Sequence, residues 1–296
     1  MNRRTRISTG SRSGTGIAAA SVVLALGLAG CAGSPAPAST PVAAEAETAL
    51  LSHVHGVGFD PGNGDLLVAT HDGLVAVDRG GGIDRVGPVI DLMGFVVDGP
   101  GRLLASGHPG PDVDLPQPVG LIESTDGGRS WTPVSRQGES DFHALTVGGA
   151  GIVGYDGSLR RSRDGEAWEV LQIPAEPASL AASPVGAEVL ATTERGLLRS
   201  ADGGSSWSPV DGAPLLQVVA WGTEGATVAG VEPSGRVWTS ADGGLTWQEG
   251  TDVGAPVQAV AVGPAEDGTA PIAVVTTGAV LLSEDGGQSL RALSGQ

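Results

Sequence analysis

A short motif recurs five times between residues 124 and 290, and its spacing constrains what this chain can fold into. The copies read STDGGRSW at 124–131, SRDGEAW at 162–168, SADGGSSW at 200–207, SADGGLTW at 240–247 and SEDGGQSL at 283–290. Their leading serines are 38, 38, 40 and 43 residues apart. A repeat near forty residues, with several strands in each unit, is typical of a β-propeller blade.

The motif itself predicts a tight turn between two strands. Glycine reaches positive φ at little cost, and aspartate accepts hydrogen bonds from nearby backbone N–H groups. A strand-like segment precedes each copy, and the tryptophan opens the next strand, where its ring can cover the hairpin. Nine of the 49 glycines in this chain fall in these turns.

The pattern S-x-D-x-G-x-x-W resembles the Asp-box, or BNR, repeat of sialidase-like β-propellers. Four copies match it well, although the second is one residue short; the fifth has Leu290 in place of tryptophan. The resemblance covers residues 50–296 and implies an all-β fold, a six-bladed β-propeller with Asp-box turns. It also implies a structural role in the turn for the box aspartates, which are Asp126, Asp164, Asp202, Asp242 and Asp285.

Six blades can be counted from the strand patterns between the turns. The predicted first strands cover residues 53–59, 91–97, 141–147, 178–183, 215–220 and 256–262. A seventh blade is not favoured, because the residues that would build it are lacking. Residues 49–51 are expected to help close the ring, which removes the exposed edges that separate sheets would leave.

The first thirty-one residues predict export and a lipid anchor. Arg3, Arg4, Arg6 and Arg12 precede an apolar run at 17–30, which is too short to span a bilayer and reads as part of a signal peptide over 1–30. The run ends in LAGC, which resembles the lipobox of bacterial lipoproteins and implies lipidation of Cys31. Residues 31–49 are then a flexible Ala/Pro/Ser tether on the outer face of the cell membrane, and 50–296 are the propeller.

Composition excludes several classes of function. A net charge of −17 with no lysine disfavours nucleic acid as a partner, because phosphate binding needs clustered cations. The single cysteine excludes an intramolecular disulfide framework. A hydrophobic content of 40% is too high for a disordered acidic protein.

All five histidines fall within the first half of the predicted propeller, at positions that share one edge of their blades. They begin first strands or follow second strands, and a methionine takes the matching first-strand position in blade two. Because the two strands run antiparallel, these positions should converge at one mouth of the central channel. The residues concerned are His53, His55, His71, Met93, His108 and His143.

This cluster predicts a binding site. Imidazole is a common ligand for zinc and copper, and a thioether is a soft donor suited to Cu(I), so the mouth is a candidate Cu or Zn site. The alternatives are polar residues that line a wet channel, or a site for a small polar ligand such as a sugar or for another protein. No cofactor is implied with certainty.

Glycoside hydrolysis on extracellular glycans is the main alternative function. Sialidases of this fold use three arginines, a tyrosine nucleophile with a glutamate partner, and an aspartate acid/base; this chain has one tyrosine, Tyr155, and no arginine motif before the first blade. Two carboxylates alone can hydrolyse a glycoside, and Asp156, Glu194 and Glu232 follow the second strands of blades three to five. A third hypothesis is a protein-binding assembly factor, from a fold-level resemblance to photosystem II assembly propellers.

Overall fold

The computed structural model describes residues 49–51, 53–265 and 267–294. These residues form 24 strands in six four-stranded antiparallel sheets, and each sheet consists of four consecutive strands. The predicted all-β, six-bladed β-propeller is therefore confirmed. The predicted signal peptide, Cys31 and the tether as far as residue 48 lie outside the described residues. Within the described part of the chain, no helix is long and apolar enough to cross a membrane.

Each blade begins with the strand nearest the central channel. Blades one to three consist of β1 (Val54–Phe59), β2 (Leu66–Thr70), β3 (Gly73–Val77), β4 (Ile83–Val86), β5 (Ile90–Val97), β6 (Leu103–Pro109), β7 (Leu121–Ser124), β8 (Thr132–Ser135), β9 (Ala144–Gly148), β10 (Gly151–Tyr155), β11 (Leu159–Ser162) and β12 (Trp168–Leu171). Blades four to six consist of β13 (Pro177–Ala182), β14 (Val189–Thr193), β15 (Gly196–Ser200), β16 (Ser208–Pro209), β17 (Val218–Trp221), β18 (Val228–Val231), β19 (Arg236–Ser240), β20 (Gln248–Asp252), β21 (Val257–Val262), β22 (Ile272–Thr276), β23 (Ala279–Ser283) and β24 (Arg291–Ser294).

The hydrophobic core consists of six clusters, one at each seam between neighbouring blades. Alternation along β2 shows how one strand serves two seams. Leu66 and Val68 belong to the cluster shared with blade six, whereas Leu67 and Ala69 belong to the cluster shared with blade two. Successive side chains of a strand point to opposite faces, so an all-apolar strand of this kind fits a sheet that is packed on both sides.

The ring closes between the first and last blades without exchange of a strand. Leu51 is fully buried in the cluster that joins β1 to blade six, as expected for residues that help close the ring. The backbone N–H of Val54 donates a hydrogen bond of 2.9 Å to Gln258 Oε1 in β21. The Gly278 N–H of blade six also donates to the Leu51 carbonyl at 3.4 Å. Closure therefore rests on side-chain packing and on isolated hydrogen bonds, since each sheet uses only its own consecutive strands.

Two inner strands begin three residues later than predicted. The expectation of a strand from residue 141 was wrong, because β9 starts at Ala144. The N–H of Phe142 donates to Ser106 Oγ of blade two at 2.9 Å, so it is taken up by a contact between blades and not by a ladder within the sheet. In blade five the expectation of a strand from residue 215 was also wrong; β17 starts at Val218, and Leu216 just before it is buried between blades four and five.

Each Asp box is a turn organised by one serine and one aspartate. In the third copy, Ser200 Oγ donates to Asp202 Oδ1 at 2.8 Å and accepts the Gly204 N–H at 2.8 Å. The backbone N–H of Ser206 donates to the same Asp202 oxygen, and its hydroxyl donates to Oδ2. Gly204 has a φ of 91°, a backbone conformation that favours glycine. The other four boxes repeat the contact between serine and aspartate.

Two further properties of the boxes fit a structural role. Three box tryptophans stabilise the end of the turn. Each indole N–H donates to the carbonyl of the preceding box glycine at 3.0–3.1 Å, in Trp168, Trp207 and Trp247. Hydrogen bonds from the Ser206 hydroxyl and N–H lower the pKa of Asp202 to about 2. A carboxylate that is held ionised by its own turn is a poor general acid.

We expect Ser200→Ala to destabilise the protein by about 1–3 kcal/mol, because it leaves the buried Gly204 N–H without an acceptor. Ser205→Ala in the same turn is the matched control, since Ser205 is exposed and its hydroxyl makes a hydrogen bond at the surface. Urea unfolding of the three proteins measures the difference. Equal midpoints for wild type and Ser200→Ala would contradict this account of the box.

Candidate functional site

A β-bulge at the start of the inner strand sets the ring of residues around the channel. The strand register skips one residue in β1, β5, β13 and β21, and the skipped residues are His55, Met93, Ala178 and Gln258. A bulged residue leaves the ladder and its side chain is re-aimed. All four residues line the central cavity. The bulge therefore presents His55 and Met93 to the channel from adjacent blades.

The central cavity has a volume of about 520 Å³ and follows the inner strands. Its wall is largely aliphatic, with residues such as Val57, Leu145 and Val260. His143, which comes just before β9, joins His55 and Met93 in the lining at one end. The channel thus combines an apolar wall with nitrogen and sulfur donors at the mouth formed by blades one to three.

Three histidines and an aspartate meet where blade one contacts blade two. The ring centroids of His55 and His71 are 4.5 Å apart, and those of His53 and His71 are 5.3 Å apart, both edge to face. His71 Nδ1 lies 2.8 Å from Asp91 Oδ1 across the seam. One ligand atom from each of His55, His71 and Asp91 can be chosen so that all three lie within 4.8 Å of one another.

Within the part of the chain that the structure describes, two buried atoms of this group have no hydrogen-bond partner. His55 Nε2 is one, and Asp91 Oδ1 is the other, since its close approach to His71 does not have the angles of a hydrogen bond. Burial lowers the pKa of His55, and the neighbouring His71 lowers it further, while Asp91 acts in the opposite sense. His55 is therefore neutral at pH 7, the form in which imidazole binds a metal.

A second group lies at the next seam, between blades two and three. Asp141 Oδ2 is 3.2 Å from His108 Nε2 and 2.7 Å from His143 Nε2. His108 is in turn the register partner of Asp91 in the β5–β6 ladder. The structure thus divides the six sequence candidates between two adjacent seams, with Met93 on the channel lining.

Sequence reasoning missed the two aspartates that join the histidines. Asp91 and Asp141 each stand two residues before a ring residue, Met93 or His143, and each faces a histidine at the end of a second strand of the preceding blade. The repeat carried a signal for them, since the same spacing recurs in adjacent blades. Their significance depends on contacts across a seam, which the spacing does not show.

Asp156, one of the carboxylates proposed for glycoside hydrolysis, is held in a network of its own. Its side chain is only 5% exposed, and Arg160 Nε lies 2.8 Å from Oδ2 and 3.0 Å from Oδ1. Ser140 donates a hydrogen bond to Oδ2, and Arg136 Nη2 is 3.9 Å away. Two guanidinium groups and a hydroxyl surround this carboxylate, and they support a structural role for it.

The other candidates for catalysis do not have the environment of a catalytic group. Glu194 has an 82% exposed side chain beside Arg195. Glu232 accepts hydrogen bonds of 2.9 Å from Trp238 Nε1 and from the Ser234 hydroxyl. Burial raises the pKa of Tyr155, and the nearby Glu176 and Asp156 carboxylates add to the effect, which is the wrong direction for an activated nucleophile.

Comparisons with known proteins show the fold. No protein-family model matches the chain, and no curated protein matches it either. Among solved structures, a gluconolactonase from Xanthomonas campestris has a TM-score of 0.61 at 13% identity over 81% of this chain and 86% of that one. A chain of a nidogen/laminin complex has a TM-score of 0.59 at 14% identity over 76% of this chain and 91% of that one. YCF48 bound to a D1 peptide has a TM-score of 0.50 at 18% identity over 82% of this chain and 81% of that one.

The architecture and these likenesses define the class: the protein is a six-bladed β-propeller. At such low identity the likeness extends to the fold alone, because one fold carries many functions and each function belongs to a site. The gluconolactonase and the peptide-binding propeller already differ in what they do. The function of this chain therefore depends on its own side chains, of which those at the histidine-bearing mouth are the candidates.

We expect Asp156→Ala to lower stability by about 3–5 kcal/mol, because it leaves Arg160 and Arg136 without their shared carboxylate. Glu194→Ala, at an exposed position, should change stability by no more than about 0.5 kcal/mol. Thermal or urea unfolding followed by circular dichroism compares the two. If Asp156→Ala is as stable as Glu194→Ala, the structural role of Asp156 is wrong.

Proposed function

We propose that the protein is a non-catalytic binding module that holds a transition-metal ion, zinc or copper, at the histidine-bearing mouth of its propeller. The observation that carries this proposal is the convergence of His55, His71 and Asp91 within 4.8 Å. Two imidazoles and a carboxylate are a donor set typical of zinc sites. The three residues come from two blades, so a bound ion would also join those blades.

The geometry requires only small movements to form such a site. Zn–N bonds of about 2.0–2.1 Å place tetrahedral donors about 3.3 Å apart, so donors within 4.8 Å need to close by an ångström or so. His55 Nε2 and Asp91 Oδ1 are buried and without hydrogen-bond partners, which costs about 1–3 kcal/mol for each such group. A metal ion would supply both atoms with a partner.

Copper is supported by the residue next to His55 in the channel ring. Met93 occupies the equivalent bulge of blade two and lines the same cavity. A thioether beside an imidazole favours Cu(I), whereas the carboxylate of Asp91 favours a harder divalent ion. Zinc and copper are therefore both to be tested, and the Met93→Leu variant separates them, because it should weaken Cu(I) binding and leave Zn(II) binding unchanged.

We expect the purified protein to bind Zn(II), and His55→Ala, His71→Ala and Asp91→Asn each to weaken binding at this site by at least tenfold. Equilibrium dialysis with metal analysis measures the affinity. Because the ion binds the folded state, a free concentration of 100 Kd should add about 2.7 kcal/mol to the free energy of unfolding.

Glu194→Gln is the matched control for these variants, because it removes an exposed carboxylate that follows the corresponding strand of blade four. It should bind Zn(II) as wild type does. Unchanged binding and an unchanged melting shift in His71→Ala and Asp91→Asn would contradict a metal site at this seam.

The location and ancestry of the module are part of the same proposal. The basic segment, the short apolar run and the LAGC sequence support an exported lipoprotein that is anchored through Cys31 to the outer face of the bacterial cell membrane. The repeated hydrogen bonds between serine and aspartate in the boxes support membership of the sialidase-like superfamily. On this view the metal site faces the cell exterior.

We expect Cys31→Ala to move the protein from the membrane fraction to the soluble fraction, because one lipid-bearing residue supplies the anchor. Fractionation of cells that express each form, followed by detergent partitioning, measures the change. Ser34→Ala, three residues further along, is the control and should stay in the membrane fraction. A Cys31→Ala protein that partitions as wild type does would rule out this anchor.

A further inference from the structure

A second group of metal-ligating side chains lies one seam further around the ring. His108 lies near the end of β6, Asp141 precedes β9, and His143 stands two residues after Asp141. A single oxygen, Asp141 Oδ2, lies 3.2 Å from His108 Nε2 and 2.7 Å from His143 Nε2. Two imidazole nitrogens thus approach one carboxylate oxygen from different blades.

Part of this arrangement repeats the first one, displaced by one blade. In both seams, a histidine at the end of a second strand faces an aspartate at the start of the next blade's inner strand: His71 faces Asp91, and His108 faces Asp141. The second imidazole lines the channel in both seams but comes from opposite sides, since His55 belongs to the blade of His71, whereas His143 belongs to the blade of Asp141. Each seam therefore has two imidazoles and one carboxylate, of which the histidine and aspartate pair stands at equivalent positions.

The second group also contains buried polar atoms without partners. Asp141 Oδ1 and His108 Nδ1 are both buried and make no hydrogen bond to any described residue. His143 remains accessible, with 63% of its side chain exposed, so an ion can reach the group from solvent. Two imidazoles approach Asp141 Oδ2, whereas Oδ1 can still donate a lone pair to a bound ion.

We propose that His108, Asp141 and His143 form a second divalent metal site, so that the protein binds two metal ions at adjacent blade seams. The donors are two nitrogens and one oxygen, a set that suits Zn(II) and leaves a coordination position open toward solvent. The two sites share no residue, although Asp91 of the first and His108 of the second are register partners in one ladder. The inference goes beyond the proposed function, because its ligands are different ones.

The test is the stoichiometry of metal binding by the full chain in detergent. Zn(II) titration by isothermal calorimetry should give two equivalents for wild type. His108→Ala and Asp141→Asn should each bind one equivalent, and His71→Ala should also bind one, whereas His71→Ala/Asp141→Asn should bind none. Glu194→Gln should keep both equivalents. Circular dichroism melts without metal show whether each variant is folded.

Co(II) provides a readout that a merely structural role would not change. Each site of low coordination number should add its own visible d–d bands, and the bands of the second equivalent should vanish in Asp141→Asn and persist in His71→Ala. His108→Gln gives a second, more conservative variant in case His108→Ala fails to fold.

The outcomes separate the two metal proposals. One equivalent that is lost in His71→Ala and kept in Asp141→Asn would overturn the second site and leave the first. One equivalent with the opposite dependence would overturn the first and leave the second. No binding by wild type would overturn both and make His108, Asp141 and His143 an internal hydrogen-bonded group.

Discussion

The contact between neighbouring blades is the interaction on which the rest of the structure depends. Each sheet has its own four consecutive strands, so no strand is shared across a seam. The seams are held by apolar clusters and by polar contacts that differ from one seam to the next. Val54 and Gln258 join blades six and one, and the Ser179 hydroxyl joins blades four and five through Val219. Closure is therefore the sum of six small interfaces.

The candidate site is a variation on these same contacts. At the two seams that join blades one, two and three, the polar contact at the channel mouth is a pair of histidine and aspartate. On the other half of the ring, the bulge positions hold Ala178 and Gln258, and these supply no imidazole or thioether. Because the same bulge holds His55, Met93, Ala178 and Gln258, the difference in chemistry between these four positions comes from the side chains. That is how a structural repeat acquires a site on one side without a change of fold.

The features that sequence predicted are those fixed by short-range hydrogen bonds. A strand was predicted before each box, and the third strands at Leu159–Ser162 and Gly196–Ser200 end at the leading serine of the box, because that serine binds the backbone of the turn and fixes where the strand stops. The late start of β9 could not be predicted, since it depends on Ser106, a residue of another blade. Asp91 and Asp141 were missed for the same reason, as their partners are 20 and 33 residues earlier in the chain and lie across a seam.

The positions of the positively charged side chains bear on which ligand this acidic chain favours. Arg160 and Arg161 of blade three and Arg236 of blade five each pair with a carboxylate of the same blade. At the mouth of blades one to three the carboxylates face imidazoles, which are cationic only when protonated. A chain with a net charge of −17 raises the local concentration of cations around it. Imidazoles beside aspartates in that field suit a metal ion, whereas an anionic sugar would meet repulsion from Asp91 and Asp141. Charge and geometry therefore favour the same class of ligand.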